Sequence, residues 1–212
     1  MTKRAGQITA GELMKQLESD PEYLARLAEH ESWKQKNRAR FQAITAPIIQ
    51  DILAAGLRIE SLDDLINTGY AYPEAIPVLL KHLPRPYPPD VKDAIGRSLT
   101  VKEAKGFGRV VLDEFKRTDG LKESTLKFTL ANTLWKIADA SLVEEMIQEV
   151  DRQENGEDGR TRLIDALGRF SDPRILEGAR RWVKDPSLAK EAMRVIKKFE
   201  RLKSHKKKAD RD

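Results

Sequence analysis

Between Tyr72 and Phe199 apolar residues return at spacings of three and four, the pattern of helices that bury one side. Four segments read as the outer helices of pairs: EAIPVLLKHL, FGRVVLDEFK, SLVEEMIQEV and PRILEGARRWV. Each is followed by an inner-helix partner: VKDAIGRSL, LKFTLANTLWKI, TRLIDALGRF and LAKEAMRVIKKF in turn. The last pair, from Asp172 to Phe199, is punctuated by Asp172-Pro173 and Asp185-Pro186. Each Asp-Pro reads as a helix start, because Asp accepts bonds from free amides and Pro gives up an amide that has no partner there.

The pairs align with one another. Ala94, Thr129, Ala166 and Ala192 fall at equivalent inner-helix positions, and Ile76, Val110, Val143 and Ile175 recur every 32 to 34 residues on the outer helices. A period of this size means that each pair hides its apolar stripe only by stacking on its neighbours. Gly96, Ala131 and Gly168 share one column. Glycine inside a helix costs about 1 kcal/mol relative to alanine, and close packing between successive inner helices is the expected offset. The last pair has Arg194 in that column, as suits a terminal repeat with no further neighbour.

Upstream, residues 1–7 are expected to be disordered. Thr9 to Glu12 fits a capping box for a short helix to Glu18, with Leu13, Met14 and Leu17 on one face. Asp20-Pro21 restarts the helix, which can run to Thr45. From Glu29 to Arg40 only Trp33 and Ala39 are apolar, so that portion projects into solvent or meets a partner. Phe41, Ile44, Ile48 and Ile52 restore helical spacing, and Pro47 is expected to kink or split the helix near Thr45. Gly56 is a stop signal. Ser61 to Asp64 offers another capping box before SLDDLIN, which Gly69 ends. Three regions follow: an N-terminal helical segment (1–70) that caps or packs on the array, the repeats (71–200), and a basic, disordered tail (201–212).

EAIPVLLKHL, with Pro77 near its start, followed by PPDVKDAIGRSL, resembles a HEAT repeat. The tight Asp172-Pro173 and Asp185-Pro186 units resemble the short HEAT-like repeats of phycobilin lyases. The resemblance covers about residues 72–200; residues 1–70 resemble no family. It implies an all-α, right-handed superhelical array (alpha-alpha superhelix) of about four helix pairs, whose second helices line a concave face where partners sit. Scaffolds, adaptors and a few enzymes share that architecture, so function has to be argued from a site.

Composition fits a thin, two-layer helical protein: 40% apolar, 34% charged and 6% aromatic. No apolar run approaches the roughly 18 residues of a membrane span. MTKRAGQITAGEL lacks the apolar stretch of a signal peptide. Without cysteine there is no disulfide, thiol chemistry or cysteine-ligated metal. A soluble, cytoplasmic protein without a cofactor is expected. The net charge of +5 has one source: residues 197–212 carry eight cations against three anions, and the rest of the chain is neutral in sum.

Just off the buried stripes lie Lys92, Arg97, Lys127, Asn132, Lys136, Arg162, Arg169 and Arg194, a candidate lane on the concave face. It suits an acidic protein segment or a phosphate backbone, although Asp93, Asp165 and Glu191 dilute its field. A non-enzymatic scaffold for a protein partner is the leading expectation. The alternative is a nucleic-acid-binding module using these cations and the tail SHKKKADRD. Trp33 to Phe41, WKQKNRARF, reads as surface cations between two docking aromatics.

Catalytic signals are sparse. His30, His82 and His205 lie far apart, and none has a second ligand at metal spacing. His30-Glu31 is one pair where the HEAT-type di-iron hydroxylases need several. Asp63-Asp64 and Glu144-Glu145 read as complements to helix N-terminal dipoles. Gly106 to Gly108, GFG, lacks the ending of a phosphate loop. HEAT-like alkylpurine DNA glycosylases share the architecture, with Phe128, Trp135 and Asp165 the residues that such a groove would use. No catalytic or metal residue is assigned.

Overall fold

The computed structural model describes residues 19–118 and 125–209, and besides them Thr9, Gly11 and Met14. Among the described residues there are ten α-helices, three short 3-10 turns and no strand. The helices are α1 (Pro21–Ala54), α2 (Leu62–Asn67), α3 (Ala75–His82), α4 (Pro89–Ser98) and α5 (Gly108–Arg117), then α6 (Thr125–Ile137), α7 (Val143–Asp151), α8 (Gly156–Leu167), α9 (Pro173–Trp182) and α10 (Ala189–Ala209). The protein is all-α. Apart from the three residues named, the disorder expected over 1–7 and the helix expected over 9–18 lie outside the described residues.

Two compact units divide between Ile44 and Thr45. In the first, Asp20 opens α1 as the sequence predicts: its carboxylate accepts the amides of Glu22 at 2.9 Å and Tyr23 at 3.3 Å. From Glu31 to Arg40 every described side chain is exposed or half-buried.

The second unit begins within α1. Of the kink or split expected at Pro47, the split does not occur: the helix is unbroken to Ala54. A proline removes its own amide from the ladder and crowds the carbonyl four residues back. Thr45, Ile48 and Ile52 on the same side are buried, which holds the turns around it in place. The helix then ends in a Schellman motif: Leu57 N–H bonds the Ile52 carbonyl at 3.3 Å, Gly56 N–H bonds that of Leu53 at 3.0 Å, and Gly56 has φ +95°. At the start of α2, the Asp64 carboxylate accepts the amides of Glu60 (2.7 Å) and Ser61 (3.0 Å). These two bonds lower its pKa.

The eight segments read as outer and inner helices are α3 to α10 in order. Within each pair the two helices pack together: α3 on α4, α5 on α6, α7 on α8 and α9 on α10. The second helices of the pairs also contact one another in chain order, α4 with α6, α6 with α8 and α8 with α10. Helix α2 joins the same series by packing on α4. The Asp51 carboxylate of α1 accepts Lys81 Nζ at 2.9 Å and meets His82 Nε2 at 3.0 Å, both on α3. The end of α1 and helix α2 are thus tied to the first pair, α1 through Asp51 to α3 and α2 by packing on α4.

Equivalent positions are buried as the alignment requires. Ala94, Thr129, Ala166 and Ala192 are each 7% exposed or less, as are Ile76, Val143 and Ile175; only Val110 is half-buried. A Cβ on Gly96 would stand 3.0 Å from Thr129 Cγ2 of α6, so the close approach expected of that column is present between α4 and α6. Gly168 differs from expectation: it is the C-cap of α8 and not an interior residue.

Two further expectations at the C-terminal end are corrected. Asp172 caps α9 through the Arg174 amide at 3.0 Å, but Asp185-Pro186 opens a turn instead of a helix. Asp185 is occupied there by the Ser187 amide (3.0 Å) and by Arg160 (3.1 Å), and α10 starts only at Ala189. Nor does order stop at residue 200. Helix α10 continues to Ala209, through residues with good helix propensity whose cations favour a helix C-terminus.

Two outcomes follow from this packing. Gly96→Leu, which drives carbon into the α4–α6 seam, should lower unfolding free energy by about 1–3 kcal/mol. Gly69→Ala, whose added Cβ meets nothing within 4 Å, should stay within about 0.5 kcal/mol; urea titration compares them. Bonds from Lys81 and His82 hold Asp51 at about 2, and bonds from Arg109 and Lys116 hold Glu145 at about 2. Both lie below their ordinary values of 3.8 and 4.5, so their stabilisation is complete above those values and fades as pH falls towards 2. The urea midpoint should drop through that window, and Asp51→Asn with Glu145→Gln should flatten the drop.

Candidate binding site

Helix α6 is the centre of the stack, with α4 and α8 on either side of it and α5 packed across it. Its sequence, TLKFTLANTLWKI, buries Leu126, Leu130, Ala131, Leu134 and Ile137. Phe128 and Trp135, seven residues apart and so two turns along one side, remain 47% and 37% exposed. Between them Asn132 accepts the Arg162 guanidinium of α8, at 3.0 Å from Nε and 2.5 Å from Nη2. Arg162 also pairs with Asp165 at 3.3 Å. Its guanidinium lies 5.0 Å from the Trp135 ring centroid, and that of Arg169 lies 5.4 Å from it. Trp135 is thus held by two arginines of the neighbouring pair, within cation–π range of both.

The eight residues of the expected lane separate into two groups. Arg97 of α4, Arg169 just past α8 and Arg194 of α10 are exposed; Asn132 and Lys136 of α6 and Arg162 of α8 are half-buried. Arg194 has Glu191 at 3.6 Å. Lys92 is turned into the stack, where it bonds Glu114 of α5, a carboxylate that Arg117 also meets at 3.1 Å.

Lys127 does not belong to the surface. Only 4% exposed, it donates to the Phe115 carbonyl at 2.8 Å and to Asn155 Oδ1 at 2.5 Å, and its ammonium lies 4.2 Å from the Phe115 ring centroid. Asn155 in turn donates to the Glu149 carbonyl (2.7 Å) and carboxylate (2.9 Å). The correction has a steric cause. Gly159 leaves the space beside Lys127 Cβ, where an added carbon would come within 3.3 Å.

Other chemistry suggested by the sequence is occupied internally. His82 is fully buried, with Nδ1 against the Tyr87 hydroxyl at 2.8 Å and Nε2 against Asp51. Glu144 and Glu145 stand in the first turn of α7, as a dipole complement requires, and also join successive first helices: Glu145 takes Arg109 (2.6 Å) and Lys116 (2.5 Å) of α5, and Glu144 takes Arg174 of α9 at 3.1 Å. No group of three or more metal-binding side chains occurs among the described residues. No helix there is long and apolar enough to cross a membrane.

Sequence reading missed one cation. Lys198 bonds the carbonyls of Gly168 (2.7 Å) and Phe170 (2.8 Å) beyond the end of α8, and burial lowers its pKa. Its position on the KKF exit disguised it as a solvent lysine.

Compared with family models, curated proteins and solved structures, the chain matches none. Its own geometry distinguishes cations that hold the stack from cations that face outward. Lys127→Ala should therefore cost about 3 kcal/mol, since it opens a cavity and strands Asn155 and a carbonyl. Arg97→Ala, at an exposed site, should cost no more than about 0.5 kcal/mol. Chemical denaturation of both variants checks the contrast.

Proposed function

We propose that this chain is a non-enzymatic binding protein that holds a protein partner on the outward side of α4, α6 and α8. The observation that carries the reading is Trp135, part-exposed and braced by Arg162 and Arg169, with Phe128 two turns away. Tryptophan and arginine are the residue types that most often anchor protein interfaces, and fixing them beforehand reduces the ordering cost of association. Phe128 widens the apolar contact. Around it Arg97 and Arg169 favour a partner segment carrying carboxylates, while Asp93 and Asp165 keep the field moderate.

In this reading the stacked pairs form a right-handed, HEAT-like superhelix whose second helices line the concave side. What supports it is the order of contacts from α2 through α10 together with the repeat period. A nucleic-acid interface on this face is the weaker reading, because Lys127 is buried and Lys92 is paired with Glu114.

The test is affinity capture from native lysate with the wild type and with a Trp135→Ala/Arg169→Glu variant, before and after nuclease treatment. Proteins retained by the wild type after nuclease and lost from the variant are expected. Truncation of such an anchor costs about 2 kcal/mol or more, roughly thirtyfold in affinity for the purified partner. Identical capture by the two proteins would sink the proposal, as would capture that disappears with nuclease.

A further inference from the structure

We propose that α10 carries a second binding surface, a stripe of Lys190, Arg194, Lys197 and Arg201 that takes the phosphate backbone of a nucleic-acid duplex without regard to sequence. The stripe is independent of the surface around Trp135. Helix α10 packs on α8 and α9 and buries Ala192, Val195 and Phe199. On its other side all four stripe residues are exposed. Their spacings of four, three and four place them on one face along roughly 16 Å of helix. A shallow recess of about 330 Å³ opens among Arg194, Lys197, Lys198, Arg201 and Leu202, and no carboxylate lines it.

A terminal repeat needs a polar outer face, but that need is indifferent to the sign of the charge. Elsewhere in the stack the cations of successive pairs meet acids, as in Arg109–Glu145, Arg174–Glu144 and Arg181–Asp151. Among the described residues Glu191 approaches the stripe, at 3.6 Å from Arg194, and Glu200 is exposed one residue before Arg201. The chain's whole positive excess arises from residue 197 onward. The result is a predominantly positive field over a rigid helix, five cations against two anions between Lys190 and Arg201, which attracts a polyanion and releases its counterions.

Duplex phosphate is favoured over the other polyanions by what the surface lacks. A single strand is gripped by stacking its bases on aromatic rings, and the one aromatic of α10, Phe199, is 7% exposed. A lipid surface needs an apolar face, whereas the exposed apolar side chains Met193 and Leu202 lie on opposite flanks of the stripe.

Fluorescence anisotropy with a labelled duplex of arbitrary sequence, about 20 base pairs long, tests this. The full chain should bind at 50 mM salt and weaken roughly a hundredfold by 200 mM, as four phosphate contacts require. Arg194→Glu/Lys197→Glu/Arg201→Glu should lower affinity at 50 mM at least thirtyfold with an unchanged circular dichroism spectrum. Trp135→Ala/Arg169→Glu should bind the duplex like the wild type, which separates this surface from the protein-binding one. No duplex binding at 50 mM salt would overturn the proposal. So would equal affinity of the triple variant, tighter binding of a single strand, binding only to phosphatidylserine vesicles, or complete loss on deleting residues 203–212 alone.

Discussion

An ammonium group inside the protein governs how its middle is assembled. Removing such a charge from water costs several kcal/mol unless its protons are taken up. Lys127 meets that condition only through other elements: the carbonyl of Phe115 at the end of α5, the Phe115 ring, and Asn155 just before α8. Asn155 is itself oriented by Glu149 of α7. Four consecutive helices must therefore be in register before this one side chain is satisfied. The small Gly159 belongs to the same arrangement, since it lets α8 close over the lysine stem.

Polar bonds of similar reach recur along the stack. Asp51 to His82, Asp93 to Thr129, Gly96 to Thr133, Asn132 to Arg162, Asp151 to Trp182 and Gly168 to Lys198 each join residues 30 to 37 apart, which is one repeat. Two of them, and the shorter-range bond from Tyr72 to Ser98, serve helix C-termini, whose last carbonyls have no partner within the helix. Thr133 bonds the Gly96 carbonyl at 2.8 Å, Tyr72 that of Ser98 at 2.8 Å, and Lys198 those of Gly168 and Phe170. Apolar burial makes the pairs stack, but it tolerates sliding. Bonds to helix ends do not, so they fix which turn of one helix faces which turn of the next.

That division explains what could be read from the chain. The eight helices from α3 to α10 were legible because a buried stripe writes itself as a spacing of three and four, and the caps at Asp20, Ser61–Asp64 and Asp172 because they are local. The particular bond that ties α1 to α3 was not legible, because Asp51 reaches Lys81 across 30 residues. Continuity through Pro47 depended on burial of Ile48 and Ile52, which no local rule supplies. Lys127 stands next to the buried stripe like any surface lysine, and only Gly159 and Asn155, about 30 residues away, reveal that it points inward. Arg162 and Arg169 could be read as inner-helix cations, but not that they brace Trp135, because they belong to the following pair.

The same accounting sorts the cations by what they can still do. Lys92, Lys127 and Lys198 have their protons directed at carboxylates, amide oxygens or helix ends, and would have to leave the stack to meet a ligand. Arg162 is half-engaged: it fixes Asn132 and braces Trp135, which makes it a positioning group more than a contact. Arg97 and Arg169 keep exposed guanidinium groups, that of Arg169 beside the part-exposed Trp135 ring. Lys190, Arg194, Lys197 and Arg201 keep exposed cations in a row, with Leu202 in the wall of the recess beside them and no phenyl or indole ring exposed there. Mixed aromatic and cationic surface rewards a partner with both apolar and acidic groups, whereas a row of cations without an exposed ring rewards charge density. The two faces are therefore suited to different ligands, and the stack separates them by placing the aromatics on its central helix and the unneutralised charge on its last.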